Sequence, residues 1–323
     1  MPQLSFEDVV GEEYANLRLD VYLTDRLEDA SRSYVKKMIK DGRVMVNGEA
    51  STKPSRIMNP GDNVTAELPP APSTHLEPEN IPLEILYQDE HIVVVNKASG
   101  IAVHPGTGIY NGTLVNALLF HCADFQRPGE DPARPGIVHR LDMFTSGVLV
   151  VGKTEAAFRH LALQAREHRF ERRYLALVRG EYTEETGRID AALGRSLSDP
   201  TRMTVTGVHG RDAVTNFRVV ERFGVASLLA VKLETGRTHQ IRVHLRFTGH
   251  PVLGDPVYGD TDFSRWPVST RVRAVLGKLQ GQALHAELLG IEHPATGERM
   301  EFTAPPPADF QAAVEALRQH IAQ

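Results

Sequence analysis

A proline-rich segment in the first third of the chain divides the sequence into two unequal parts. Five of the fourteen residues between Pro69 and Pro82 are proline, and the segment has no apolar periodicity. Because proline lacks a backbone donor and favours extended backbone, such a stretch predicts a semi-extended linker. We therefore predict a small domain at residues 1–68, a linker at 69–82 and a large domain at 83–323.

Basic residues are concentrated in the small domain. Between Ser31 and Arg56 seven basic residues accompany two acidic ones, a local charge of +5 in a chain whose net charge is −5. Apolar residues recur there at helical spacing, ending before Gly42, and Asn47-Gly48 predicts a hairpin turn. A solvated helix face and a phosphate-binding surface both fit this pattern. The apolar stripe is Tyr34, Val35, Met38 and Ile39, and the basic residues around it are Arg32, Lys36, Lys37, Lys40 and Arg43.

The large domain alternates short β-rich runs with helical segments. The clearest runs are Ile92–Val95, Val148–Val151, Tyr174–Val178 and Leu228–Leu233, whereas Glu155–Glu167 has a helical pattern. This alternation predicts a mixed α/β or α+β domain.

Composition limits the class of protein. Hydrophobic residues make up 41% and charged residues 24% of the chain, which is ordinary for a soluble globular protein. No run of eighteen apolar residues and no signal peptide are present, so we expect a cytoplasmic protein. The single cysteine, Cys122, excludes an internal disulfide and a cysteine-rich zinc site. We expect no metal and no cofactor.

The segment His139–Gly147 is the strongest candidate for a catalytic site. It runs His-Arg-Leu-Asp-Met-Phe-Thr-Ser-Gly into the apolar run Val148–Val151, so the carboxylate of Asp142 lies next to residues that can be cationic. By itself the pattern also fits a surface ion pair followed by a turn.

Four other regions, in order along the chain, support a catalytic interpretation. They are Val94–Pro105, Arg172–Gly180, Leu233–Gly259 and Ala283–Pro294. With His139–Gly147 they resemble the motifs of the pseudouridine synthases that modify ribosomal RNA, although Ala98 and Arg172 stand where relatives commonly have Pro and Lys.

This resemblance implies an α+β fold with a long, mainly antiparallel central sheet and a cleft across its middle. It also implies a catalytic Asp142, with Tyr174 placed against the target base. The carboxylate must stay ionised in a cleft that excludes water, so a cation is needed nearby, and Arg242 is the matching residue. If Thr238 begins a helix, Arg242 shares a face with His239.

The remaining residues that the resemblance implies would bind RNA. Arg140 would fill the gap left when a uridine is flipped out of a stack, and Leu284 would line the apolar wall. Residues 17–66 resemble the S4-type RNA-binding module, which would contact phosphates without reading sequence. Arg237 and His239 complete the predicted RNA-binding set.

Within the family, the chain most resembles the large-subunit synthase D group, which implies 23S ribosomal RNA as the partner. The C group, which acts on other uridines of that RNA, is an alternative. A non-catalytic ribosome-binding or assembly factor on the same scaffold is a second alternative. The chain does not match the sequence motifs of zincin metalloproteases, dinucleotide-binding folds, serine hydrolases or Walker-type nucleotide-binding proteins. We expect a monomer.

Overall fold

A computed structural model describes residues 5–27, 32–67, 76–106, 109–196, 199, 202–207 and 210–321. Residues 69–75 of the predicted linker lie outside this part, and so do the side chains of Arg32, Tyr34 and Lys37. The chain separates into two compact units, Met1–Leu76 with Pro105–Tyr110 and Glu77–His104 with Asn111–Gln323. The domain boundaries at residues 68 and 82 stay predictions.

In its described residues, the first unit contains a four-stranded antiparallel sheet and two α-helices. The sheet order is β1-β4-β2-β3. The elements are β1 (Ser5–Val9), α1 (Leu19–Arg26), α2 (Arg32–Lys40), β2 (Val44–Val46), β3 (Glu49–Ala50) and β4 (Asn63–Glu67), with a 3-10 turn at Glu12–Tyr14.

Helix α2 has the predicted apolar stripe. Its described members, Val35, Met38 and Ile39, are buried in the core of this unit. The helix ends before Gly42, whose φ of +72° only glycine adopts readily. Asn47 and Gly48 both have positive φ, as a two-residue hairpin turn requires, so the predicted turn is confirmed.

The second unit carries the remaining elements. Its strands are β5 (Glu84–Gln88), β6 (Ile92–Lys97), β7 (Ser146–Gly152), β8 (Glu171–Arg179), β9 (Thr186–Asp190), β10 (Leu193–Arg195), β11 (Met203–Val205), β12 (Val214–Arg222), β13 (Ala226–Leu233), β14 (Leu284–Glu292) and β15 (Arg299–Thr303). Its helices are α3 (Leu114–His121), α4 (Glu155–Arg166), α5 (Gln240–Phe247), α6 (Thr270–Leu276) and α7 (Ala308–Ile321). The predicted β-rich runs all lie inside strands, and the predicted helical segment coincides with α4 except for its last residue, Glu167, which caps the helix.

A mainly antiparallel sheet organises this unit. Among the described residues its order is β5-β6-β7-β14-β8-β13-β12-β9, and β15 pairs with β14. Of the strand pairs in the described ranges, only the short contact between β7 and β14 is parallel. The expected α+β fold is thus confirmed. No helix in the described ranges is long and apolar enough to span a membrane.

The central strands are apolar on both faces because both faces are covered. On β6, Val93 and Val95 belong to one buried cluster, whereas Ile92 and Val94 belong to another on the opposite side. Helix α4 contributes to the second cluster, and α5, α6 and α7 contribute to the first. Two-sided burial explains why these runs are continuously apolar instead of alternating with polar residues.

The glycine that ends the His139–Gly147 segment is needed for strand packing. Gly147 has φ +118°, and a Cβ there would lie 2.2 Å from the carbonyl oxygen of Ala286 on β14. Any side chain would therefore force β7 and β14 apart. Since both strands border the cleft described below, Gly147 helps to determine its shape.

Candidate active site

A cleft of about 380 Å³ opens at the centre of the large sheet. Its walls come from the segment before β7, from β8, from the end of β13, from the start of β14 and from the turn before α5. The four strands are neighbours in the order β7-β14-β8-β13, so residues distant in sequence meet there. All the lining residues belong to the second unit.

A buried lysine holds the segment that carries Asp142. Lys97 Nζ donates hydrogen bonds to the carbonyl oxygens of Ala98 and Ile101, both at 2.8 Å, and of Met143 at 2.9 Å. Burial lowers the pKa of Lys97 to about 7, and the negative charge of Asp142 opposes this effect. The amine thereby ties the loop after β6 to the residue that follows Asp142.

Asp142 and Asp255 share the guanidinium of Arg242. Nη1 of Arg242 donates to Asp142 Oδ2 at 2.8 Å, while Nε and Nη2 bind both oxygens of Asp255 at 2.7 and 2.8 Å. Burial disfavours the charge of Arg242, but the hydrogen bonds and charges of the two carboxylates outweigh it and raise its pKa. The expected pairing of Asp142 with Arg242 is therefore present, across 100 residues of sequence.

Asp255 is a site residue to which the sequence analysis assigned no role. Its side chain is fully buried, and Oδ1 also accepts from the backbone N–H groups of Val257 and Tyr258 at 2.9 and 3.0 Å. Burial alone would raise the pKa of Asp255, but these bonds and Arg242 lower it overall. The available signal was an acid beside a proline inside the Gly254–Gly259 segment.

The turn before α5 departs from the prediction. The helix begins at Gln240 and not at Thr238, because His239 adopts a left-handed conformation with φ +56°. The side chain of Gln240 stabilises the turn by accepting from the N–H of Arg237 at 2.9 Å and donating to Val214 O at 2.9 Å. The predicted helix start was therefore wrong by two residues.

His239 nevertheless lies on the same side as Arg242. Its Nε2 is 4.0 Å from Asp142 Oδ1, and its Nδ1 is 2.9 Å from the hydroxyl of Tyr258. That hydroxyl also accepts from the N–H of Met203 on β11. Burial lowers the pKa of His239, so its ring is neutral at neutral pH. The positive charge next to Asp142 is therefore that of Arg242.

Tyr174 and Leu284 belong to the apolar part of the cleft lining, on the neighbouring strands β8 and β14. Both are buried, with exposed fractions of 6% and 5%. Burial raises the pKa of Tyr174, the charge of Arg172 lowers it and the charge of Asp142 raises it. The phenol therefore keeps its proton at neutral pH.

Arg140 and Arg237 occupy the polar rim. Arg140 is exposed, and its Nη2 donates to Thr238 Oγ1 at 2.9 Å. Arg237 Nε donates to the carbonyl oxygen of Asp212 at 3.1 Å. The structure thus brings the predicted residues of the large domain together at one cleft: Asp142, Tyr174, Arg242, Arg140, Leu284, Arg237 and His239.

His139 is not a cationic neighbour of Asp142. Its Nε2 accepts from the N–H of Val150 at 3.1 Å, and its ring packs edge-on against Phe170. Burial, aided by the charge of Arg172, lowers the pKa of His139 to about 3, so the ring is neutral. The segment therefore starts with a residue that anchors it to β7.

The predicted basic surface of the first unit is described in part. Lys40 and Arg43 are exposed, and Lys36 Nζ lies 3.8 Å from the buried Asp20 Oδ2. The side chains of Arg32 and Lys37 lie outside the described residues. No group of three or more potential metal ligands occurs in the part of the chain that is described.

Two protein-family models match the chain. The RNA pseudouridylate synthase model matches residues 91–247, and the S4 domain model matches residues 17–64. The first match contains Asp142, Tyr174 and Arg242, and the second contains the basic surface of the first unit.

Full-length relatives agree with these matches. The RNA pseudouridine synthase YlyB of Bacillus subtilis is 43% identical over 96% of this chain and 97% of its own. The ribosomal large subunit pseudouridine synthase D of Vibrio vulnificus is 40% identical over 98% and 96%. The solved structure of human RNA pseudouridylate synthase domain containing 1 has a TM-score of 0.56 at 28% identity, over 74% of this chain and 96% of that one. The chain therefore belongs to the RNA pseudouridylate synthase family, and it is an isomerase that acts on RNA.

Proposed function

We propose that the protein converts specific uridines of 23S ribosomal RNA, in the large subunit or its precursor, to pseudouridine, with Asp142 as the catalytic carboxylate. Relatives named ribosomal large subunit pseudouridine synthase D, similar over nearly the whole chain, support this substrate. The observation that carries the catalytic assignment is the Asp142–Arg242–Asp255 arrangement in the cleft.

The reaction needs an ionised carboxylate at a place where water is scarce. The N1–C1′ bond of uridine breaks, the uracil rotates and C5 bonds to C1′, while C5 loses a proton and N1 gains one. Arg242 occupies Asp142 Oδ2, which leaves Oδ1 for the substrate. Because Arg242 is shared with Asp255, it orients Asp142 through one hydrogen bond and does not occupy both carboxylate oxygens.

Tyr174 and Leu284 would hold the uracil during its rotation. The ring of Tyr174 offers a stacking surface, and the protonated phenol can donate a hydrogen bond. A flat apolar contact permits rotation because it imposes no directional bond on the base. Detached uracil would thus stay in the cleft until C5 faces C1′.

Arg140 would fill the stack from which the uridine leaves. Its exposed guanidinium lies at the rim, in the same segment as Asp142, and one hydrogen bond to the uncharged hydroxyl of Thr238 holds it. A planar guanidinium can stack on bases in a way that an ammonium cannot. Arg237 and His239, on either side of Thr238 in the sequence, would contact the flanking RNA.

The first unit would add affinity that is independent of sequence. Its basic residues Arg32, Lys36, Lys37, Lys40 and Arg43 would contact phosphates. We further propose a monomer that acts in the cytoplasm, where ribosomal RNA is available.

Mapping pseudouridine in RNA from cells with and without the gene tests the proposal. We expect pseudouridines of 23S RNA to disappear on deletion and to return with the wild-type gene, but not with Asp142→Asn. Loss confined to transfer RNA or to small-subunit RNA would refute the substrate. Full restoration by Asp142→Asn would refute the catalytic role, and the positions at which pseudouridine disappears distinguish the D and C groups.

A further inference from the structure

The cleft is strongly cationic although the chain as a whole is acidic. Among the described residues that line it, five are arginines and only one, Asp142, is acidic. Four of these arginines have partners within the protein. Arg134 binds Asp131, Arg140 binds Thr238, Arg237 binds the carbonyl of Asp212, and Arg242 binds Asp142 and Asp255.

Arg172 is the exception. Its side chain is half-buried, its Nε is fully buried without an acceptor, and no residue of the described chain pairs with its guanidinium. Its charge nevertheless acts on both Tyr174 and His139. An unpaired, partly buried guanidinium is costly for the protein to maintain, which suggests that a ligand supplies its acceptor.

The position of Arg172 on β8 directs it into the cleft. Alternate residues of a strand face the same side, so Arg172 shares the face of Tyr174. The intervening Arg173 faces the other way and binds Glu287 at 2.7 Å. A Cβ at Gly236 would come within 3.1 Å of Arg172 Nη1, so the guanidinium lies against bare backbone where a side chain would crowd it.

We propose that Arg172 binds a phosphodiester of the RNA strand next to the target uridine. Two residues along a strand span about 7 Å, so Arg172 reaches a part of the cleft other than the one in which Tyr174 would contact the base. The planar fork of a guanidinium matches the two non-bridging oxygens of a phosphodiester. A neutral uracil carbonyl would satisfy one N–H but would leave the charge unpaired.

This inference rests on the proposed placement of the uridine against Asp142 and Tyr174, but not on 23S RNA as the substrate. It adds a binding residue that anchors the backbone while the base rotates. Arg172 is distinct from Arg140, which would enter the vacated stack, and from Arg242, which is committed to two carboxylates.

The test uses a short RNA hairpin taken from whichever RNA the wild-type enzyme converts. Single uncharged methylphosphonate linkages are placed at each position from two before to two after the target uridine. Equilibrium binding of the pseudouridine-containing product hairpins and single-turnover rates on the uridine hairpins are measured for full-length wild type and Arg172→Ala. Arg173→Ala is the matched control, since it removes a neighbouring arginine on the opposite face.

We expect one linkage beside the target to weaken wild-type binding by about 10- to 100-fold when its charge is removed. With Arg172→Ala that linkage should carry no further penalty, whereas the other linkages keep theirs. Arg173→Ala should behave as wild type. Arg172→Lys preserves the charge, so removing the charge of that linkage should still weaken its binding, though less than it weakens that of wild type. This variant replaces Arg172→Ala in the test if the alanine variant folds poorly.

Three results would overturn the inference. The first is that Arg172→Ala binds every hairpin with wild-type affinity. The second is that, at every linkage, the loss of affinity caused by the methylphosphonate is the same in Arg172→Ala as in wild type. A lower single-turnover rate at saturating enzyme, with unchanged affinity, would place Arg172 on the uracil instead. Failure of the catalytic proposal would appear separately, as activity of Asp142→Asn.

Discussion

Asp255→Asn is the sharpest test of how the site is built, because it changes charge without changing shape. Asp255 Oδ1 accepts from Arg242 Nη2 and from the backbone N–H groups of Val257 and Tyr258, and Oδ2 accepts from Arg242 Nε. An amide can keep the three bonds to Oδ1. Its NH₂ group, however, would face the N–H of Arg242 Nε, so that interaction changes from attraction to repulsion.

The magnitude follows from these hydrogen bonds. One charge-assisted hydrogen bond is removed, worth about 1.5–3 kcal/mol, and a buried guanidinium keeps only one of two counter-charges. Breaking a buried pair typically costs about 3–5 kcal/mol, and we expect about 3 kcal/mol here because Asp142 remains as a partner. The single-turnover rate should fall by about 10- to 100-fold, since Arg242 no longer holds Asp142 in one position.

Urea unfolding and single-turnover kinetics measure the two effects. The matched control is Asp260→Asn, because Asp260 pairs with the largely exposed Arg179 at 2.9 Å. Such a surface pair contributes under about 1 kcal/mol, so stability and rate should hardly change. If Asp255→Asn were as stable and as active as this control, the reasoning about the shared guanidinium would be refuted.

The pH dependence of stability provides an independent check on Asp255. Its pKa is lowered in the folded protein, so its contribution is complete above the unfolded value of about 4 and is lost as pH falls through the folded value. The difference in unfolding free energy between wild type and Asp255→Asn should thus be constant near neutral pH. It should shrink below a pH of about 4, and a difference that grew on acidification would contradict the assignment.

Three further predictions concern catalysis and RNA binding. Asp142→Asn should lower the single-turnover rate by about three orders of magnitude or more while RNA affinity stays within a few-fold, and near-wild-type turnover would contradict this. Arg140→Ala should reduce the rate by about 10- to 100-fold on a structured hairpin but little on a flexible RNA, and Arg140→Lys should recover little; equal reductions on both RNAs would contradict base replacement. Replacing Lys40 and Arg43 by Gln should reduce the log–log salt slope of RNA binding by about 0.7–0.9 for each phosphate that is no longer neutralised, whereas an unchanged slope would mean a merely solvated surface.

Features that depend on local pattern could be predicted from the sequence. Apolar runs located β6, β7, β8 and β13, and a helical stripe located α2, because each pattern follows the period of its element. The ordered motifs around Asp142, Tyr174 and Arg242 indicated the family through their resemblance to its motifs. The helix start near Thr238 was wrong because a left-handed residue, His239, and a side-chain bond from Gln240 override local propensity.

The contacts between distant groups, and the charges that lack a partner, could be identified from the folded structure but not from the sequence. Asp255 becomes the second anchor of Arg242, Gly147 lets β7 approach β14, and His139 is held neutral by burial. Arg172 and Arg173 are adjacent residues of the same type, yet in the described part of the chain the first lacks a partner and the second binds Glu287. Pairing and desolvation depend on distances between strands that are far apart in the chain, and no periodicity along the sequence encodes those distances.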